Sequence, residues 1–134
     1  MTTEIITLTI PAVKTRDGKA DWLNANDTRH WAPKARLVKN WRNLAHLIAR
    51  QAKAPKGLHR VMIQAYIHKT NNRRYDAHNL MPTLKPIVDG LVDYGLIPDD
   101  HNTHLLGPII EPGEKRDTPS ITLVITPLTE GNFL

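Results

Sequence analysis

The sequence has no cysteine among its 134 residues. That excludes disulfides, thiolate metal ligands and cysteine nucleophiles, and is compatible with a reducing compartment. It has no apolar run near the ~20 residues of a membrane span, and its opening MTTEIITLTI lacks the basic region and long apolar core of a signal peptide. The expectation is a soluble cytoplasmic protein with no membrane partner. Internal repeats and low-complexity tracts are also missing, and the only linker-like piece of the C-terminal half is EPGEKRDTPS at 111–120. A chain of this length forms one domain, 1–134, with a single core.

Acidic charge is scarce in one half. Residues 14–60 carry 12 basic and 3 acidic side chains, whereas residues 76–117 carry 3 basic and 8 acidic ones. The whole chain has 18 Lys plus Arg against 13 Asp plus Glu, a balance that favours a polyanionic partner.

Periodicity supplies the elements. Ile6, Leu8 and Ile10 alternate with threonines, as in a strand with one buried face. Residues 14–31 read as a loop, because Asp17-Gly18 marks a turn and asparagines favour turns. Its Asn24, Asn26, Arg29, His30 and Trp31 suit phosphates and bases; equally, its two tryptophans suit the core. A helix is predicted over 33–53, with Leu37, Trp41, Leu44, Ile48 and Ala52 inward. Lys39, Arg42, His46, Arg50 and Lys53 form a cationic stripe that either tracks a phosphate backbone or is merely solvated. A second strand is predicted over 59–68, followed by Arg73-Arg74, whose guanidiniums either hold phosphate or pair with Asp76.

A second helix is predicted over 84–94, with Thr83 as N-cap, Pro86 in the first turn and Gly95 as a left-handed cap. Lys85 in its first turn opposes the helix dipole, which points to a role other than helix stability. Strands are predicted over 103–110 and 120–126, joined as an antiparallel hairpin. The order is βαβαββ, an α+β domain with a mostly antiparallel, mixed sheet and two packed helices.

Asp76 before the second helix and Asp99-Asp100 after it are hard oxygen donors that suit Mg²⁺ or Mn²⁺. Each also serves as an ordinary turn residue. Taken together, Arg73, Arg74, Asp76, Asn79, Leu80, Lys85, Asp89, Gly90, Leu91, Gly95 and Asp99-Asp100 resemble the signature of the RusA family of Holliday-junction resolvases. That signature is a basic run, D-x-D-N-L, a lysine-bearing helix closed by glycine, and a final acid pair. The loop with Asn24, Asn26 and Arg29 resembles the family's segment after its first strand.

The resemblance implies an intertwined homodimer that nicks four-way and other branched DNA symmetrically with Mg²⁺ or Mn²⁺, of a kind often encoded by phages. By position it makes Asp76, Lys85, Asp99 and Asp100 catalytic and Asp76, Asp99 and Asp100 metal ligands. His78 stands where the family has its second acid, and about three extra residues separate Asn79 from Lys85. His78 is either a substitute ligand favouring Mn²⁺ or the mark of lost cleavage. Asn24, Asn26, Arg29, Lys39, Arg42, Arg50, Arg73 and Arg74 are the expected DNA contacts. The competing class is a protein that binds junctions without cutting them; a basic replication accessory protein is more remote.

Overall fold

The computed structural model describes residues 4–128. They form strand β1 (Ile6–Pro11), helix α1 (Trp31–Gln51), strand β2 (Val61–His68), a 3₁₀ turn (Ala77–Leu80), helix α2 (Met81–Tyr94), and strands β3 (Leu105–Pro112) and β4 (Ser120–Pro127). The α+β class and the βαβαββ order are as expected. The sheet order is β1-β4-β2-β3. β4 runs antiparallel to both β1 and β2, and β3 runs parallel to β2.

Strands β1, β2 and β3 therefore share one direction, and the two helical crossovers step the same way across the sheet. Crossovers of one hand then place α1 and α2 on one face. Alternation supplies that face with Leu8 and Ile10, Val61 to Ile67, and Ile121 to Ile125, which join Leu37, Trp41, Ala45, Leu84, Ile87 and Leu91 in one core. On the opposite face Thr7 and Thr9 are exposed and Met62, Gln64 and Tyr66 are half-buried.

Gly90 explains how closely the helices cross. A Cβ at this position would lie 2.2 Å from the Arg42 carbonyl oxygen of α1, well inside contact distance, so only glycine permits this approach.

The hairpin expected between β3 and β4 does not form. β2 lies between them, and the loop after β3 crosses the end of β2, where the Gly113 and Arg116 amides donate to the Ile67 and Lys69 carbonyls. The reason lies in burial and in proline. β4 buries Ile121, Leu123 and Ile125 completely and half-buries the residues between them, as a central strand does. β3 leaves Leu106 and Ile109 exposed and contains Pro108, which has no amide for a second neighbour. β3 is accordingly the edge.

Helix α2 also starts earlier than expected, at Met81. Pro82 takes the first turn and Pro86 lies inside the helix. Its ring removes one helical bond and is itself buried in the core face. Thr83 is not the N-cap. It is fully buried; its hydroxyl donates to the Leu23 carbonyl at 2.6 Å and accepts from the Leu23 amide at 2.8 Å. Tertiary anchoring of the 12–30 loop has taken the group that capping required. Gly95, at φ 101°, closes α2 as expected, with its amide donating to Leu91 and Val92.

Candidate functional site

The acid-bearing segment begins where β2 ends. Asp76 caps the 3₁₀ turn, its carboxylate accepting from the His78 amide at 3.0 Å. His78 is exposed, and its side chain borders two hollows. One, of about 270 Å³, is shared with Tyr75, Asp76 and Glu111. The other, of about 520 Å³, is shared with Lys85 and Asp100, with Met81, Val88 and Pro108 as apolar walls. Asp76 and Asp100, 24 apart in sequence, thus border two hollows that share His78, because α2 carries the chain away and the turn after Gly95 returns it.

Lys85 joins the two ends. Its ammonium donates to Asp100 in a very short contact and to Asp89, one helical turn along, at 3.2 Å. The hydrogen bond to Asp100 is the main cause that holds the Lys85 ammonium above its ordinary pKa, and the same bond holds the Asp100 carboxyl below the usual range. Asp99 turns inward on its own backbone and accepts from the Asp100 amide at 2.7 Å. The lysine that opposed the helix dipole is therefore employed across the hollow.

A divalent ion asks for several oxygen donors around one point. Among the described residues no three His, Asp or Glu side chains form such a group. Asp76 borders one hollow and Asp100 the next, and Lys85 already supplies positive charge to Asp100. In this arrangement the donor set does not fit a metal.

The expected DNA contacts divide by what already holds them. Arg29 is spent within its loop: it pairs with Asp21 at 2.7 Å, grips Asp27 with two nitrogens and donates to the Trp22 carbonyl at 3.0 Å. Hydrogen bonding to Arg29 lowers the Asp27 pKa to about 2. Arg42 makes a bidentate pair with Asp93 of α2 at 2.6 and 2.8 Å. Lys39 and Arg50 are exposed and make no ion pair among the described residues. The same is true of Arg73 and Arg74, which do not pair with Asp76 but line a hollow of about 200 Å³ with Lys69 and Tyr75. Asn24 accepts from the Asn26 amide at 2.9 Å, and Asn26 is exposed.

The loop containing these asparagines is brought to the acids by two anchors, Leu23 on Thr83 and the Ala25 amide on the Asn79 carbonyl at 2.7 Å. Ala25 consequently lines the hollow of Lys85 and Asp100. The two loop tryptophans part company: Trp22 stacks on Trp41 with centroids 5.7 Å apart, while Trp31 is 74% exposed beside His30.

Glu111 and Lys69 were missed in the sequence. Glu111 reaches the Asp76 hollow only because β3 pairs in parallel with β2, setting it opposite Tyr66. No local pattern announces that. Lys69 had a signal in its position, directly after a strand and before Asn71-Asn72, where a basic group is left at a sheet end. No family model and no curated protein matches the chain.

Proposed function

We propose that the protein is a structure-selective endodeoxyribonuclease that acts on four-way and other branched DNA as a homodimer; the RusA resemblance implies Mg²⁺ or Mn²⁺, an ion that the donor set in this arrangement does not fit. One observation carries the reading: Asp76, His78, Lys85 and Asp100, spread over 25 residues of sequence, border adjoining hollows beside the unpaired Arg73-Arg74. The RusA-like signature supports it, since Arg73, Arg74, Asp76, Lys85 and Asp100 belong to that motif, while His78 departs from it.

Arg73 and Arg74 hold a backbone phosphate next to Asp76, by charge-assisted bonds that need no base identity. Lys85 borders the hollow and, on giving up Asp89 and Asp100, supplies a positive charge that stabilises charge developing on a reacting phosphate. Paired nicks need two such sites, which a two-fold dimer supplies.

A second reading is favoured by the Lys85–Asp100 pair and by His78: a junction-binding protein that does not cut. The two are separated by incubating an end-labelled four-way junction with each metal, using wild type, Asp76→Asn and Asp100→Asn. Nicking by wild type that either substitution removes supports the nuclease. Binding without nicking in both metals selects the second reading, and equal nicking by both variants would discard this site.

A further inference from the structure

Cations without a carboxylate partner collect at the ends of β1 and β2. The 13–21 segment is a small hairpin, bridged between Lys14 and Ala20 and closed by the Thr15 amide on the Lys19 carbonyl at 2.7 Å. It sets Lys14 and Lys19 beside Lys69, and the three share with Trp22 and Asn71 a hollow of about 540 Å³. Asp117 also lines the hollow, yet none of these lysines forms an ion pair among the described residues.

The hollow has a fixed wall. Trp22 is stacked on the fully buried Trp41, whose indole N–H donates to the Asp21 carbonyl at 3.0 Å. Lys69 Nζ sits 3.9 Å over the Tyr75 ring. Three lysines with an indole suit phosphates and a flat base, whereas an apolar ligand would gain nothing from the three ammonium groups.

This hollow also leads somewhere. It shares Lys69 and Asn71 with the hollow of Arg73 and Arg74, which shares Tyr75 and Pro112 with the hollow of Asp76, which shares His78 with that of Lys85 and Asp100. Four hollows thus adjoin in a row: two lined by cations, a third by Asp76 and Glu111, and a last one with apolar walls and the Lys85–Asp100 pair.

We propose that the Lys14, Lys19, Lys69 and Trp22 hollow is a subsite for the phosphates of one nucleic-acid strand, with a base against Trp22, and that the row of hollows is that strand's path to the acids. The assignment rests on the reading of the protein as one that acts on DNA. Along this path the lysines neutralise the strand upstream of the reacting phosphate, and Arg73 and Arg74 carry it across to Asp76.

The test is fluorescence anisotropy of a labelled four-way junction and a labelled single strand against salt, for wild type, Lys14→Gln/Lys19→Gln and Lys69→Gln. Lys14 and Lys19 are exposed, so the double variant keeps its fold, checked by circular dichroism. Its log–log salt slope should become shallower by about 1.4 to 1.8, and that of Lys69→Gln by about 0.7 to 0.9. Quenching of tryptophan emission by an unlabelled oligonucleotide should shrink in Trp22→Phe. Wild type that binds DNA with slopes unchanged in all variants overturns the subsite and leaves the nuclease reading intact. Wild type that binds neither probe overturns both. Variants that lose only the binding of inorganic phosphate, titrated separately, would make this a small-anion site and refute the strand path.

Discussion

Arg42 and Lys69 carry the same charge, yet they belong to two differently wired regions. On the helical face Arg42 is clasped by Asp93, Arg29 by Asp21 and Asp27, and Lys85 by Asp89 and Asp100, while Lys39 and Arg50 of α1 are left without an ion pair among the described residues. At the strand ends Lys14, Lys19, Lys69, Arg73 and Arg74 have no carboxylate against them among the described residues. A paired cation must give up its carboxylate before it can bind a phosphate, whereas these give up water and, for Lys69, the Tyr75 ring. Availability, more than the count of positive charges, is what distinguishes the region proposed to hold DNA.

The largest effect expected is on chemistry. Asp76→Asn and Asp100→Asn should each reduce junction nicking by roughly 100-fold or more while leaving binding nearly unchanged, as removal of a group acting in the transition state does. Single-turnover cleavage with labelled junction reads this directly. A loss of binding in step with nicking would place these acids in the wiring of the surface instead.

Next comes the anchor that unites the regions. Thr83→Val leaves the Leu23 amide and carbonyl buried without partners and should cost about 2 to 3 kcal/mol in urea unfolding. A cost near zero would show that the loop is held by packing alone.

Smaller effects divide the two classes of cation. Arg73→Ala/Arg74→Ala should weaken junction binding by about 10-fold and flatten its salt slope by about 1.4 to 1.8, whereas Arg42→Ala should leave the slope unchanged. Asp93→Ala is the sharper probe. It should cost only about 0.2 to 1 kcal/mol of stability, because the pair is half exposed, and it should steepen the salt slope by releasing Arg42. If Arg42→Ala flattens the slope as much as the Arg73/Arg74 change, the division fails.

The least effect concerns pH. Asp27 has its pKa lowered from 3.8 to about 2 by Arg29. A carboxyl depressed on folding contributes stability that is present above its unfolded pKa and lost as pH falls through the folded one. Unfolding free energy should therefore drop between about pH 4 and pH 2, with a shallower drop in Asp27→Asn. Parallel curves for the two proteins would remove the Arg29 pairing as a cause.

Much of this architecture was legible before any coordinates. Alternating Ile6, Leu8 and Ile10, the i, i+4 spacing of Leu37 and Trp41, and Gly95 after Tyr94 each express a local period or a local backbone need, and all appear where expected. The acids could be named because their motif is short and continuous. The α1 stripe could be read, but not that Asp93 of another helix would occupy its Arg42.

What the sequence by itself determined is the set of elements, which depend on residues within a few positions of each other, and the presence of Asp76 before α2 and Asp99-Asp100 after it. Only the tertiary structure decided the rest. It put β4 in the sheet's centre, because β4 has one face fully buried and the other half-buried, while β3 with Pro108 had to be an edge. It took Thr83 from capping to hold Leu23, carried Glu111 to Asp76 through parallel pairing, and set Lys85 on Asp100. Each of these joins residues far apart in the chain, and such pairings follow from which surfaces meet, which no local pattern records.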